Sequence, residues 1–239
     1  MNLKSLILSK ELKNSLFVIF LLTLIFGFND KQNIFVLNSW LRNLLLVFAL
    51  VGITVLVHLF SAKISANFLG QEAELKVLSA KVPKFISKKS VSFPLASIFG
   101  FLLTLISLGN LYFTAIFTIA VKKIPRLGKG FELYEKKESL IYFWALMGNL
   151  ILIIIFNLIH FKMGVLINTW FLIWNLLPIP GLVGSRLFFN NKELYIFFVV
   201  LFVLIVFFIG KINLILLLIL SIIIAFFVML FWFFKIQYK

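Results

Sequence analysis

The chain contains no cysteine, a single aspartate (Asp30) among its eight acidic residues, two histidines (His58 and His160) and five prolines. Without thiols there are no disulfides, iron–sulfur clusters or thiolate metal sites, and redox chemistry does not reveal the compartment. Charge is scarce as well, at 13% of 239 residues against about 25% in an ordinary soluble domain. Apolar side chains fill the gap: 63% of the residues are hydrophobic and 31 are phenylalanine. A single globular core cannot bury that much apolar surface and still present a wettable exterior. A soluble enzyme, a nucleic-acid module and a disordered protein are excluded, and the composition predicts an all-α polytopic membrane protein. The formal charge of +15 lies between the apolar runs, which fits an anionic lipid surface rather than nucleic acid. The excess of lysine over arginine is what an AT-rich prokaryotic genome produces.

Apolar runs occupy 15–28, 35–61, 93–121, 140–160, 164–185, 194–209 and 212–234. A crossing takes about 20 apolar residues. The first run is short, with Lys13 placed to snorkel, and no small-residue cleavage site follows Phe28. The stretch 194–234 is too long for one helix, and Gly210-Lys211 predicts a turn that makes it two. The run 93–121 is long and holds Gly100, Gly109 and Asn110. If it enters and returns to the same side, 19 of the 23 basic residues share one face, and only Lys31, Arg42, Lys162 and Lys211 lie on the other. If it crosses once, the split is 11 against 12. The positive-inside rule selects the first arrangement. It predicts six spans in the cell membrane, both termini cytoplasmic and a re-entrant or hairpin segment over 93–121. The chain then divides into an N-terminal segment with the first span (1–34), a membrane core (35–190) with a basic cytoplasmic loop over 63–92, and a C-terminal helix pair (191–239). In that loop Lys76, Lys81, Lys84, Lys88 and Lys89 form a basic strip for the anionic leaflet, with a strand-docking edge as the alternative. Trp40 and Trp232 sit where interfacial anchors sit.

Chemistry inside a bilayer needs buried carboxylates or histidines. All eight acidic residues lie outside the apolar runs or at their edges. In this topology His58 is near the cytoplasmic end of the second span and His160 a membrane thickness away, so the two cannot share a metal ion. The most informative stretch is Asn175-Leu176-Leu177-Pro178-Ile179-Pro180-Gly181-Leu182-Val183-Gly184. Pro178 and Pro180 have no N–H, which leaves the carbonyls of Trp174 and Leu176 without helical partners. Either the helix end is kinked, or an unwound wall lines a groove in which those carbonyls and Asn175 meet an extended peptide. Upstream, Ala145 and Gly148 are small enough to admit a neighbouring helix, and Asn149 is placed to hydrogen-bond across it.

Asn-Leu-Leu-Pro-Ile-Pro, followed by a glycine at 184, resembles the signature Asn-x-x-Pro-x-Pro-x-x-Asp-Gly of the site-2 proteases, the intramembrane zinc metalloproteases. The resemblance covers about residues 35–190. It implies a site-2-protease-like core, with His58 at the first histidine of the family's His-Glu-x-x-His and Asn149 at the asparagine of its Gly-Pro-x-x-Asn. Gln71-Glu72-Ala73-Glu74-Leu75 is similar to the segment leading into the family's β structure at the membrane edge. The departures from the pattern are chemical. The general base is replaced by Leu59, the second histidine by Ala62 and the third ligand, an aspartate, by Val183. A catalytic zinc takes three protein ligands and a water, and His58 is the only retained ligand position. The resemblance therefore implies a scaffold without catalytic residues and with the zinc lost. Such a scaffold is expected to bind or regulate transmembrane segments of other proteins, its partners being the lipid bilayer, single-span membrane proteins or an active paralogue, through a groove at Asn175, Pro178 and Pro180. The alternatives are a metalloprotease with unusual ligation, and a small transporter or membrane-assembly factor.

Overall fold

The computed structural model describes residues 3–30, 32, 34–81, 92–122 and 131–237. Part of the basic loop and strip expected over 63–92 lies outside the described residues. The chain is mostly helical. Helices α1 (Leu3–Gly27) and α2 (Leu37–Phe68) form an antiparallel hairpin. At one end the indole of Trp40 donates to the Phe28 carbonyl, and at the other Lys63 meets Glu11. α2 ends in a Schellman turn: Gly70 takes φ +67°, and the Gln71 N–H donates back to the Ala66 carbonyl. A glycine reaches that left-handed conformation without a Cβ penalty.

The turn delivers the chain into strand β1 (Glu72–Val77), whose side chains alternate between exposed and buried faces. β1 pairs antiparallel with β4 (Phe117–Lys122), Glu72 opposite Lys122 and Val77 opposite Phe117. A second pair joins β2 (Ala80–Lys81) to β3 (Ser92–Phe93). The strands correct the all-α expectation. Glu72–Val77 carries polar and apolar residues in alternation, the period of a half-buried strand, within a composition that otherwise favours helix.

Between β3 and β4 lies the segment read as a hairpin. Helix α3 (Leu95–Ile106) carries the chain to the α1–α2 turn, where Asn29 donates to the Leu108 carbonyl. Leu108 and Gly109 reverse the direction there with positive φ, and 110–116 returns in irregular conformation to β4. Its polar groups are met inside the protein: the Trp174 indole donates to the Tyr112 carbonyl at 2.6 Å, and the Thr114 hydroxyl to that of Trp170. Non-helical backbone beside apolar surface requires such internal partners.

Helix α4 (Phe131–Leu158) packs along α2. A turn with His160 at φ +56° leads into α5 (Lys162–Leu176). α5 has 15 residues, or about 22 Å at 1.5 Å each, because Pro178 and Pro180 stop it. Residues 177–182 are non-helical, and α6 (Val183–Asn190) starts beyond them. α7 (Lys192–Phe208) begins at Asn191, whose side chain caps the Leu194 N–H, and Gly210 at φ +81° turns the chain into α8 (Leu214–Gln237). The C-terminal pair is joined to the core: Phe143 of α4 packs against Phe197 and Phe198 of α7.

Among the described residues, three helical stretches are long and apolar enough to cross a membrane: Leu37–Phe68, Glu135–Leu158 and Leu214–Lys235. Large apolar side chains are exposed along α2, α3 and α8, among them Phe60, Phe99 and Phe227, as expected of a surface solvated by lipid.

Candidate functional site

Within a mostly apolar bundle, a polar chain links the three central helices. The imidazole Nδ1 of His58, on α2, lies 2.7 Å from Oδ1 of Asn149 on α4. Nδ2 of Asn149 donates to the Thr54 carbonyl and to Oδ1 of Asn168 on α5, both at 3.1 Å. Nδ2 of Asn168 donates to the carbonyl of Gly164, one turn earlier. His58, Asn149 and Asn168 are fully buried.

This chain fixes every proton. The Gly164 carbonyl accepts only, so it orients the Asn168 amide. Asn168 and the Thr54 carbonyl then orient Asn149, whose Oδ1 must accept from His58. His58 is thus the Nδ1–H tautomer, and its Nε2 is a bare acceptor. Nε2 has no hydrogen-bond partner among the described residues. The ring stands edge-on to Phe171 at 5.1 Å and to Phe117 at 5.9 Å.

The resemblance asks whether a zinc ion fits. An N–H bonded to an oxygen with the opposite nitrogen bare is how ligating histidines are held. The other positions supply nothing: Leu59, Ala62 and Val183 are buried hydrocarbon, and no group of three His, Cys, Asp or Glu capable of holding a metal occurs among the described residues. The residues present do not fit a catalytic zinc. His160 adds nothing, since α4 continues from Asn149 to Leu158 before reaching it. Nor does His58 lie near the end of its helix, because α2 runs on to Phe68.

Ala145 is fully buried. A Cβ on Gly148 would collide with the Ser61 hydroxyl and approach Val57 at 3.1 Å. The small residues therefore let α4 sit close against α2, which brings Asn149 within reach of His58. Sequence reasoning placed Asn149 and His58 separately and missed Asn168 and Thr54. The available signal was an amide at 168, seven residues before Asn175 in the same apolar run.

The expected groove residues separate. Pro178 and Pro180 are exposed. Asn175 is fully buried, its Nδ2 donating to the Phe171 carbonyl while its Oδ1 has no partner among the described residues. The carbonyls that the prolines release are met: the Tyr195 hydroxyl of α7 donates to Leu176 at 2.9 Å, and the Leu177 N–H to Trp174 at 3.3 Å. They are not free to meet a peptide. α6 folds directly onto this break, where a Cβ at Gly184 would lie 2.5 Å from the Asn175 and Leu176 carbonyl oxygens. α6 is tied to α4 by a second polar cluster. Arg186 donates to the Tyr142 hydroxyl at 2.7 Å, and Tyr142 donates to Glu138 at 2.7 Å.

Three of the clefts among the described residues bear on this core. One of about 480 Å3 lies between α2 and α4, lined by Ser61, Ile64, Ser65, Phe68, Leu69, Leu140 and Trp144. Another of about 290 Å3 is lined by Pro180, Ile179 and Leu182 with Leu78, Leu95 and Phe113 among others. The third, of about 490 Å3, is polar and lies against the free edge of β1. There the Leu75 N–H donates to one oxygen of Glu11, and Lys63 holds the other at 2.7 Å. Glu74 pairs with Lys122 at 2.6 Å and with Lys76 at 3.1 Å. Partial burial pushes the Glu74 carboxyl up, but the hydrogen bonds and charges of Lys122 and Lys76 outweigh it and hold the group below the usual carboxylate range. No family model matches the chain, and no curated protein or solved structure matches it either.

Proposed function

We propose that this chain is a catalytically silent membrane scaffold, built on the plan of a site-2 protease, that holds transmembrane segments of other proteins without cutting them. The carrying observation is the environment of His58. Its imidazole is closed in by Phe117 and Phe171 and tied to Asn149, and aliphatic side chains stand at 59, 62 and 183, where hydrolysis would need a base and two ligands. On this reading α1, α5 and α7 add to the three long apolar helices to give six spans, with both termini on the cytoplasmic side that the basic residues mark. The 480 Å3 apolar cleft between α2 and α4 is the seat for a single-span client or an active paralogue. Trp144, half exposed at its rim, is the place to test this. A photo-reactive residue at 144 is expected to give discrete protein adducts in native membranes; exclusive crosslinking to lipid refutes client binding.

The bare Nε2 of His58 favours a second reading, in which the imidazole holds a metal with unusual partners. Metal analysis of the purified protein separates the two. Stoichiometric zinc that disappears in His58→Ala establishes the second and overturns the first.

A further inference from the structure

The polar cleft beside β1 and the apolar cleft beside Pro180 are two lobes of one site. Ser79 lines both; Val77 and Pro94 line the first, and their chain neighbours Leu78 and Leu95 the second. The polar lobe holds Lys10, Glu11, Asn14, Glu74, Lys76 and Lys122. The apolar lobe is walled by Leu78, Leu95, Phe113, Ala115, Ile179 and Leu182.

The charges in and around the polar lobe do not cancel. Glu11 is neutralised by Lys63, and one Glu74 carboxylate serves both Lys76 and Lys122. Lys10 has no ion pair among the described residues. Glu72 faces Lys122 across the strand pair, so four ammonium groups stand against three carboxylates and leave a surplus of one positive charge, carried by the unpaired Lys10, over a cavity whose continuation is hydrocarbon. The lobes meet where the apolar exterior begins, since Leu12, Leu16 and Phe17 on α1 and Leu95, Ile98 and Phe99 on α3 are exposed to the surroundings. At that level a membrane presents phosphates beside acyl chains.

We propose that these lobes bind one anionic glycerophospholipid, its phosphodiester among Lys10, Lys76, Lys122 and the Asn14 amide, and one acyl chain in the cleft under Pro180. The proposal is independent of the protease reading. An extended peptide added to β1 is the competing occupant. The register puts the backbone groups of residues 73, 75 and 77 on the free edge of β1. The middle one, the Leu75 N–H, is already taken by Glu11, and the opposite wall at Pro94 has no N–H to offer. A ladder is therefore interrupted at its centre, whereas a phosphate needs only point charges. The division into a cationic and a hydrocarbon lobe also matches an amphiphile within a single molecule.

The test is native mass spectrometry of the full-length protein titrated with dioleoyl phosphatidylglycerol and, separately, dioleoyl phosphatidylcholine. One phosphatidylglycerol is expected to be retained in preference to phosphatidylcholine. A lysine near a membrane surface contributes about fivefold to anionic-lipid binding. Lys10→Gln should therefore weaken phosphatidylglycerol about fivefold and leave phosphatidylcholine unchanged. Ala96 also lines the apolar lobe; Ala96→Trp, which fills it and keeps every charge, should lower retention of both lipids, and inorganic phosphate at millimolar concentration should not displace the lipid. Equal retention of the two lipids, indifference to both substitutions, or displacement by inorganic phosphate overturns the proposal. So does a synthetic β-strand peptide that protects the Val77 amide from hydrogen exchange while expelling the bound lipid.

Discussion

Replacing Asn149 by leucine tests whether the polar chain is a structural unit. The change removes the acceptor for the His58 Nδ1–H and the donor to Asn168 Oδ1. The Thr54 carbonyl loses only a contact additional to its bond within α2. In water each orphaned buried group would cost about 1–3 kcal/mol. Interhelical hydrogen bonds in membranes average about 0.6 kcal/mol, because the unfolded helices also find partners. Two orphaned groups in a fully buried layer place the loss between these limits, at about 2 kcal/mol. His58→Leu should cost less, since it orphans only Asn149 Oδ1. The double variant supplies the decisive comparison. Removing both partners leaves no unpaired donor or acceptor between α2 and α4, so the double variant should be more stable than the sum of the singles by about 1 kcal/mol. Reversible unfolding in mixed micelles measures all three. If the singles add to within about 0.4 kcal/mol, the two side chains are energetically independent and the proton assignment is wrong.

Three further outcomes follow from the same geometry. Tyr195→Phe strips the Leu176 carbonyl of its hydroxyl donor and should destabilise the protein by about 1 kcal/mol, with faster hydrogen exchange at Leu177 and Leu182 as the local readout. Glu74 has a folded pKa below its unfolded one, so its contribution is present above the ordinary carboxylate value and is lost as the pH falls through the lower folded value. With Lys122 and Lys76 well exposed the contribution is about 1 kcal/mol or less, and Glu74→Gln should lower the neutral plateau by that amount and flatten the acid limb, leaving stability at low pH unchanged. The triple substitution Leu59→Glu, Ala62→His, Val183→Asp should confer zinc binding, measured by metal content and lost on His58→Ala. A folded triple variant that takes up no zinc argues that positions 58, 62 and 183 do not converge, and ends the comparison with site-2 proteases.

Breaks in the chain were the most legible part of the fold. The proline pair at 178 and 180 stops α5, and Gly210 divides the last apolar stretch, because both act on the backbone within a turn or two of themselves. A return path for residues 93–121 was the expectation that gathered the lysines on one side, and the structure shows a chain reversal at Leu108 and Gly109. The strands were harder. Glu72–Val77 alternates correctly, but its partner Phe117–Lys122 is fully buried over its first four residues and reads as part of an apolar run. The polar chain was least accessible. His58 and Asn149 lie 91 residues apart, and nothing local marks them as partners. The same holds for Tyr195 reaching Leu176, and for Glu11 capping Leu75 across 64 residues. Propensity and pattern report on neighbours in sequence, whereas these contacts depend on which helix faces which.

Two fully buried side chains, Asn175 and His58, each leave an atom without a partner among the described residues; the two atoms have the same polarity, and that constrains what can reach them. Nδ2 of Asn175 is committed to the Phe171 carbonyl, so its Oδ1 is an acceptor without a donor. Nδ1–H of His58 is committed to Asn149, so its Nε2 is also an acceptor without a donor. Each costs about 1–3 kcal/mol while unpaired, and only a donor or a cation relieves that cost. A client helix presents neither to its surroundings, because its N–H groups are spent on its own carbonyls and its side chains are apolar. Whatever reaches His58 is therefore small and hydrogen-bearing or positively charged, whereas the proposed transmembrane client would meet the outer cleft between α2 and α4. If the protein holds clients, it does so with the exterior of the fold, and its polar centre serves to align α2, α4 and α5 behind that surface.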